Sequence, residues 1–191
     1  GVHSDSGKSI CTADHLFADP ACLIVSVGIN ADSRFEQTFH DAYPHCTIDA
    51  YDGTLNAAKR AKLPAFLNMH LQNFGVGHTV KYVEKGATVD MLKIDCEGCE
   101  FTSLLRFVEA VCVDVLVIEV HGPDGRMLNL HHSSKDALER LKGTHRLMVS
   151  LDRLGYTIYF VEANYRWMTS GTEYALRRRT PCPRLSSNRL T

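Results

Sequence analysis

Residues 89–100 read Val-Asp-Met-Leu-Lys-Ile-Asp-Cys-Glu-Gly-Cys-Glu, and no other stretch of the chain gathers as much chemistry. An apolar run of buried-strand character ends in Asp95, Glu97 and Glu100, after which 101–110 resumes at helical spacing. In an extended segment Asp95 and Glu97 project to one face and Cys96 to the other. A second apolar run, 113–121, ends in Glu119 and His121, again two apart. If the two runs are neighbouring strands, Asp95, Glu97, Glu119 and His121 meet on one rim. Such a set can take a proton from a hydroxyl acceptor or hold a divalent ion. The plainer use is structural, with Glu97 or Glu100 at the start of the following helix. We read the four as catalytic candidates without a metal; a divalent ion on the same four is the alternative that is not favoured.

The elements needed to position that rim alternate along the chain. Residues 1–10 read as a flexible tail and 12–17 as a short helix. Strands are expected at 21–27, 46–51, 65–70, 88–94 and 113–120. Ser33 and Glu36 form a Ser-x-x-Glu capping box for a helix to about Ala42. Thr54 caps a short helix through Arg60, and Gly75 and Gly77 mark a loop. A helix covers 100–110 and a long one runs from Ser134 to about Leu154, with Leu138, Leu141, Leu147 and Leu151 on its apolar stripe. Strands at 156–161 and 173–178 have no helix between them and suit an antiparallel pair. Strands alternating with helices imply a parallel sheet covered on both faces. A single domain over 1–191 is expected, with 180–191 a second tail.

The bulk properties narrow the function classes. The chain has 191 residues, 45% of them apolar, and a net charge of −1, so no global field favours nucleic acid or a membrane surface. No apolar run reaches the ~20 residues of a membrane span. Seven cysteines, at 11, 22, 46, 96, 99, 112 and 182, are odd in number and scattered, unlike a disulfide scaffold. Cys11 and Cys182, one in each tail, can pair if the chain is secreted. Cys96 and Cys99 lack the two further ligands that zinc needs, and Cys96 reads as a small core residue. Compartment stays open: cytoplasmic by default, the secretory-pathway lumen if a segment was removed ahead of Gly1. Nothing fixes an oligomeric state.

The first strand and its turn, Val25-Ser-Val-Gly-Ile-Asn-Ala-Asp32, lie where open α/β sheets bind nucleotides. Gly28 allows a sharp turn and a close approach. The second and third glycines of a dinucleotide fingerprint are missing, which weakens a pyrophosphate ligand. Asp52, at the end of the second strand, stands where an acid accepts ribose hydroxyls.

Ser26-Val-Gly-Ile-Asn30 with Ser33-Arg-Phe-Glu36, Ile48-Asp-Ala-Tyr-Asp52, Leu92-Lys-Ile-Asp-Cys-Glu-Gly-Cys-Glu100 and Leu116-Val-Ile-Glu-Val-His121 together resemble FkbM-type S-adenosylmethionine-dependent methyltransferases, most closely their eukaryotic methyltransferase-like branch. Gly155-Tyr156 and Glu162-Ala-Asn164 extend the resemblance, which covers about residues 20–166. It implies a Rossmann-like class I methyltransferase fold: a seven-stranded, mostly parallel sheet with an antiparallel terminal hairpin and helices on both faces. It also implies S-adenosylmethionine across the ends of the first, second and fourth strands. Gly28 and Asn30 would then meet its methionine part, Asp52 the ribose, and Asn73, Phe74 and Gly75 the adenine edge, with Asp95 at the reacting centre. Ser26 replaces an acid common early in that first-turn motif, so the methionine ammonium is expected on Asp95 or Asp32.

The expected function is O-methylation of a hydroxyl or carboxyl on a small molecule or glycan, with no nucleic-acid partner. A Rossmann-type oxidoreductase and a catalytically idle binding module are the alternatives. His131 and His132 are acceptor-site candidates in a solvated loop, Tyr165 and Trp167 read as packing, and Arg177, Arg178 and Arg179 as a solvated charge run.

Overall fold

The expected strand runs form one sheet in a computed structural model that describes residues 10, 17–96, 98–121, 134–163 and 171–183. The strands are β1 (Leu23–Val27), β2 (Thr47–Tyr51), β3 (Leu67–His70), β4 (Val89–Ile94), β5 (Val113–Val120), β6 (Tyr156–Ala163) and β7 (Thr172–Arg178). Their order is β3-β2-β1-β4-β5-β7-β6. The first five run parallel, while β7 lies antiparallel between β5 and β6. The chain leaves β1 toward β2 and β3, then returns to place β4 on the other side of β1. That reversal opens a crevice beyond the carboxyl ends of β1 and β4.

Successive strand residues feed two separate cores, as a sheet covered on both faces requires. Val25, Leu92 and Leu116 pack with Tyr82, Phe107, Leu147 and Leu151 on one face. Ile24, Met91 and Val115 pack with Phe17, Phe35 and Phe39 on the other. The first face is covered by α3 (Val76–Glu84), α5 (Leu104–Ala110) and α6 (Ser134–Arg153); the second by α1 (Arg34–Ala42). Each fully buried large side chain contributes ~1.5–3 kcal/mol.

Local details depart from sequence expectation for identifiable reasons. The loop expected at Gly75 and Gly77 gives way to α3 over 76–84, because Tyr82 and Lys81 are pulled onto the sheet. The Tyr82 hydroxyl donates to Asp49 Oδ2 at 2.9 Å and Lys81 Nζ donates to the same oxygen at 2.7 Å. Tertiary anchoring thus overrides the two glycines. The short α2 (Ala57–Arg60) is capped by Asn56, whose side chain accepts from Lys59 N–H at 2.9 Å, and not by Thr54. The Ser33 box does not form; Glu36 turns inward and accepts from Ser26 Oγ at 2.6 Å. The helix after β4 breaks at Ser103 into α4 (Cys99–Thr102) and α5. Leu138 and Leu141 of α6 are exposed, whereas Leu147 and Leu151 are buried.

The cysteines depart most. Cys22 pairs with Cys46, Cys112 with Cys182, and Cys96 with Cys99. Cys182 therefore bonds Cys112 rather than Cys11, which lies outside the described residues. So do the helix expected from Thr12, the 122–133 loop with His131 and His132, Tyr165, Trp167 and Glu97. Among the described residues, no helix is long and apolar enough to cross a membrane.

Candidate active site

The cavity beyond β1, β2 and β4 has a volume of about 710 Å³. Its first wall is the turn after β1. Gly28 has a φ of +79°, and a Cβ there would sit 1.6 Å from the Asp95 carbonyl oxygen. Glycine is needed twice over, for the backbone angle and for the contact with the β4 exit. Asn30 and Ala31 follow with φ of 45° and 62°, a left-handed pair of residues that carry side chains. Asp52 holds them. Its Oδ2 accepts from Asn30 N–H at 2.8 Å, while its Oδ1 accepts from Thr54 N–H at 2.8 Å and Thr54 Oγ1 at 2.6 Å. Burial opposes its charge, but these donors and the Ile29 N–H prevail and hold the carboxyl below its usual range.

Asp32 also lines the cavity, with its carboxylate clasped by the Arg34 guanidinium. That bond lowers its pKa despite partial burial. Gly53 closes β2 against the loop after β3, since a Cβ would meet Asn73 Oδ1 at 2.2 Å. Asn73 and Phe74 thereby reach the cavity, and Gly75 is not among its lining residues. Tyr51 supplies an aromatic floor; its hydroxyl meets that of Tyr82 at 2.9 Å and its ring packs edge-on against Phe74 with centroids 5.3 Å apart.

The opposite rim is built from the exits of β4 and β5, which are hydrogen-bonded neighbours. Asp95 lines the cavity; Glu119 and His121 stand behind it. His121 Nε2 lies 3.8 Å from Asp95 Oδ1 and 3.6 Å from Glu119 Oε1. Its Nδ1 lies 3.3 Å from Glu100 Oε1, and that oxygen also accepts the His121 backbone N–H at 2.9 Å. Glu100 Oε2 accepts from Gly98 N–H at 2.8 Å. Burial opposes charge on both groups. For Glu100 the His121 ring and the backbone donors outweigh it and lower the pKa. For His121 the Glu100 bond and the charges of Asp95 and Glu119 outweigh it and raise the pKa. With carboxylates facing both ring nitrogens, the ring is suited to being a doubly protonated donor.

Among the described residues, two side-chain groups have the composition of a metal site: Asp95, Glu119 and His121, and Cys96, Cys99 and Glu100. In the second the two sulfurs are bonded to each other and are not thiolate ligands. In the first, Asp95 and Glu119 would be the ion's other ligands, and the ion would take the place of a proton on His121 Nε2. Cys96 and Cys99 both line the cavity and, partly buried, pack against the core behind it, so Cys96 serves as wall and as packing.

The structure thus joins Asp95, Glu119 and His121 as the spacing implied, and puts Gly28, Asn30, Asp32, Asp52, Asn73 and Phe74 around one cavity. Glu100, read from sequence as a helix-start residue, is the buried anchor of His121. Lys93 is a site residue that the motif spacing does not single out, though it carries a signal: one lysine inside an apolar strand run. It lines the cavity at 4% exposure, and its Nζ donates to the Gly28 carbonyl at 3.1 Å.

A family model described as a methyltransferase domain matches residues 58–173. No curated protein matches the chain in sequence. Among solved structures, the fibrillarin pre-rRNA processing protein of Methanococcus jannaschii aligns with a TM-score of 0.58 at 9% identity, over 91% of this chain and 71% of that one. Human methyltransferase-like protein 13 in complex with SAH aligns at 0.55 with 13% identity, over 90% and 81%. Aeropyrum pernix fibrillarin, solved with natively bound S-adenosyl-L-methionine, aligns at 0.53 with 13% identity, over 82% and 66%. At these identities the likeness is one of fold. It agrees with the sheet order, the antiparallel hairpin and the helices that flank the sheet.

Proposed function

This chain belongs to the methyltransferase-domain family, and from that premise we propose that it is an FkbM-type S-adenosylmethionine-dependent methyltransferase acting on a hydroxyl or carboxyl oxygen of a small molecule or glycan. The observation that carries this reading is the cavity at the strand-order reversal, with Asp52 at the exit of β2 and Asp95 at the exit of β4. Its volume of about 710 Å³ falls within the ~300–1,000 Å³ of small-molecule sites.

The lining residues fit a nucleoside joined to an amino acid. Asp52 has an ionised carboxylate for ribose hydroxyls, Asn73 and Phe74 offer an amide and a ring to adenine, and Gly28 and Asn30 border the amino-acid end. Asp32 is spent on Arg34, so Asp95 is the better partner for the cofactor's ammonium. S-adenosylmethionine, when bound, supplies a methyl group on a sulfonium, an electrophile that needs an aligned acceptor more than a strong base. Asp95 is placed to orient an acceptor hydroxyl and take its proton. His121, anchored by Glu100, gathers Asp95 and Glu119 on one rim, and a metal is not required. A carboxyl acceptor would use the same rim for orientation alone. The three disulfides support an oxidising compartment, the secretory alternative, over the cytoplasm.

The test is incubation of the protein with methyl-labelled S-adenosylmethionine and pools of hydroxylated and carboxylated metabolites and glycans. A product heavier by one labelled methyl is expected; lability to mild base separates an ester from an ether. Calorimetry that finds NAD binding and no S-adenosylmethionine binding overturns the cofactor. Binding without transfer to any pool leaves the idle module.

A further inference from the structure

An amino-acid ligand brings a carboxylate, and the usual receptors for it are backbone N–H groups at the first turn and helix start. Here four of those donors, on Gly28, Asn30, Asp32 and Arg34, are engaged. Gly28 N–H donates to the Tyr51 carbonyl at 2.9 Å, Asn30 N–H to Asp52 at 2.8 Å and Asp32 N–H to the Ile29 carbonyl at 2.8 Å. At the start of α1, Arg34 N–H donates to Asp32 Oδ1 at 3.2 Å. The carboxylates around the cavity, Asp32, Asp52 and Asp95, would repel a further one.

Among the described residues, Lys93 is the one lysine or arginine that lines the cavity. Its ammonium has three protons and two acceptors close by, the Gly28 carbonyl at 3.1 Å and Glu36 Oε1 at 3.4 Å. Glu36 is fully buried behind Ser26, so it cannot meet a ligand itself. It pins Lys93 beneath the turn, with Ser26 Oγ donating to the same oxygen at 2.6 Å. Glu36 Oε2 has no hydrogen-bond partner among the described residues, and a buried polar atom left so calls for an explanation. A carboxylate retained there against its desolvation cost is accounted for if its work is to hold a cation at the cavity wall. The acid that the resemblance expects at Ser26 is thus supplied from α1, one layer back, and what reaches the cavity is a cation.

Resting on the cofactor reading above, we propose that Lys93 binds the carboxylate of the cofactor's amino-acid end, and that Glu36 is the positioning residue that aims it. A charge-assisted bond in a buried site is worth on the order of 10- to 100-fold in affinity.

The experiment is calorimetry on the full chain with three ligands: S-adenosylhomocysteine, its decarboxylated analogue, and 5′-methylthioadenosine, which lacks the amino-acid end. The wild type is expected to bind S-adenosylhomocysteine about 10- to 100-fold more tightly than the decarboxylated analogue. Lys93→Met should erase that difference and leave 5′-methylthioadenosine unchanged, and Lys93→Arg should restore part of it. Equal wild-type affinity for S-adenosylhomocysteine and its decarboxylated analogue overturns the assignment, without needing any variant to fold. Equal losses for all three ligands in Lys93→Met reduce Lys93 to a structural residue. A wild type that binds none of them sinks the cofactor reading instead.

Discussion

Cys22 and Cys46 join the residues that lead into β1 and β2, and Cys112 and Cys182 join the residue before β5 to the segment after β7. The amino ends of β1, β2 and β5 are thus stapled covalently. Carboxylates there act as backbone clips: Asp90 Oδ2 accepts from Leu23 N–H at 2.8 Å and Asp114 Oδ1 from Cys182 N–H at 2.7 Å. The carboxyl ends are held by charge instead. Asp52 gathers the first turn, His121 gathers Asp95, Glu119 and Glu100, and the one disulfide there spans just three positions, Cys96 to Cys99. The difference separates stability from chemistry. The long-range disulfides at one end hold whatever the protonation state, while the other end keeps acidic and basic groups aimed at a cavity and stays sensitive to what ionises them.

The sharpest way to break this division is at Asp95. Asp95→Ala should lower kcat/KM by about 10²–10⁴, the range of a lost general base, and weaken S-adenosylhomocysteine binding through loss of the ammonium contact, while the melting temperature changes little. Glu119→Ala should lose less, because it reaches the cavity through His121. A chelator should leave turnover unchanged. Activity that vanishes with chelator and returns with magnesium or manganese would make the rim a metal site, and the alanine variants at Asp95, Glu119 and His121 would then fall together.

Much of this arrangement was legible in the sequence because it depends on local spacing. A two-residue step fixes which side chains share a strand face, so Glu119 and His121 could be paired before any fold was known. Runs such as Val-Asp-Met-Leu-Lys-Ile declare a buried strand by composition. What could not be read depends on distance across the sheet. Cys112 finds Cys182 only because β7 runs antiparallel beside β5 and ends at the residues leading into it. Glu36 looked like a helix cap, since nothing local shows that Ser26 and Lys93 would draw it inward. Helix α3 was hidden by Gly75 and Gly77, whose local bias toward a loop is outweighed by Asp49 on the neighbouring strand.

The disulfides allow a finer cut between the two ends. In the chain-entropy account, closing longer loops stabilises more. For separations of 70, 24 and 3 residues the contributions are about 4.4, 3.5 and 1.6 kcal/mol. Serine pairs replacing Cys112 with Cys182, or Cys22 with Cys46, should therefore lower the denaturation midpoint markedly and leave cofactor affinity in the surviving folded fraction intact. Replacing Cys96 and Cys99 together by serine should shift the midpoint least of the three and change affinity measurably, because both line the cavity. Mass analysis after alkylation without reductant checks that all three bonds are present in the starting protein. A midpoint that falls most for the Cys96 and Cys99 pair would contradict the assignment of stability to the amino end.

The smallest expected effect is that of pH, and it should touch one end only. The His121 pKa is raised above its ordinary 6.5, so its contribution is complete below that value and is lost as pH rises through the folded-state pKa. The Glu100 pKa is lowered from 4.5, so its contribution is complete above that value and is lost as pH falls through the folded-state pKa. Between the two limits the His121–Glu100 contact is charged on both sides, and the link from the β5 exit to the loop after β4 is at its strongest. Exchange of the His121 amide, which donates to Glu100, reads that link directly. Its protection should be greatest at mildly acidic to neutral pH and decline on either side, while the amides of Thr47 and Val89 at the stapled end, which donate to the Cys22 and Cys112 carbonyls, stay protected across about pH 4 to 9. Glu100→Gln keeps an acceptor oxygen for the amide but removes the charge, so it should flatten the profile without abolishing protection. A profile unchanged by that substitution, or one shared equally by the amides at the stapled end, would mean that the carboxyl end is not held by this ion pair.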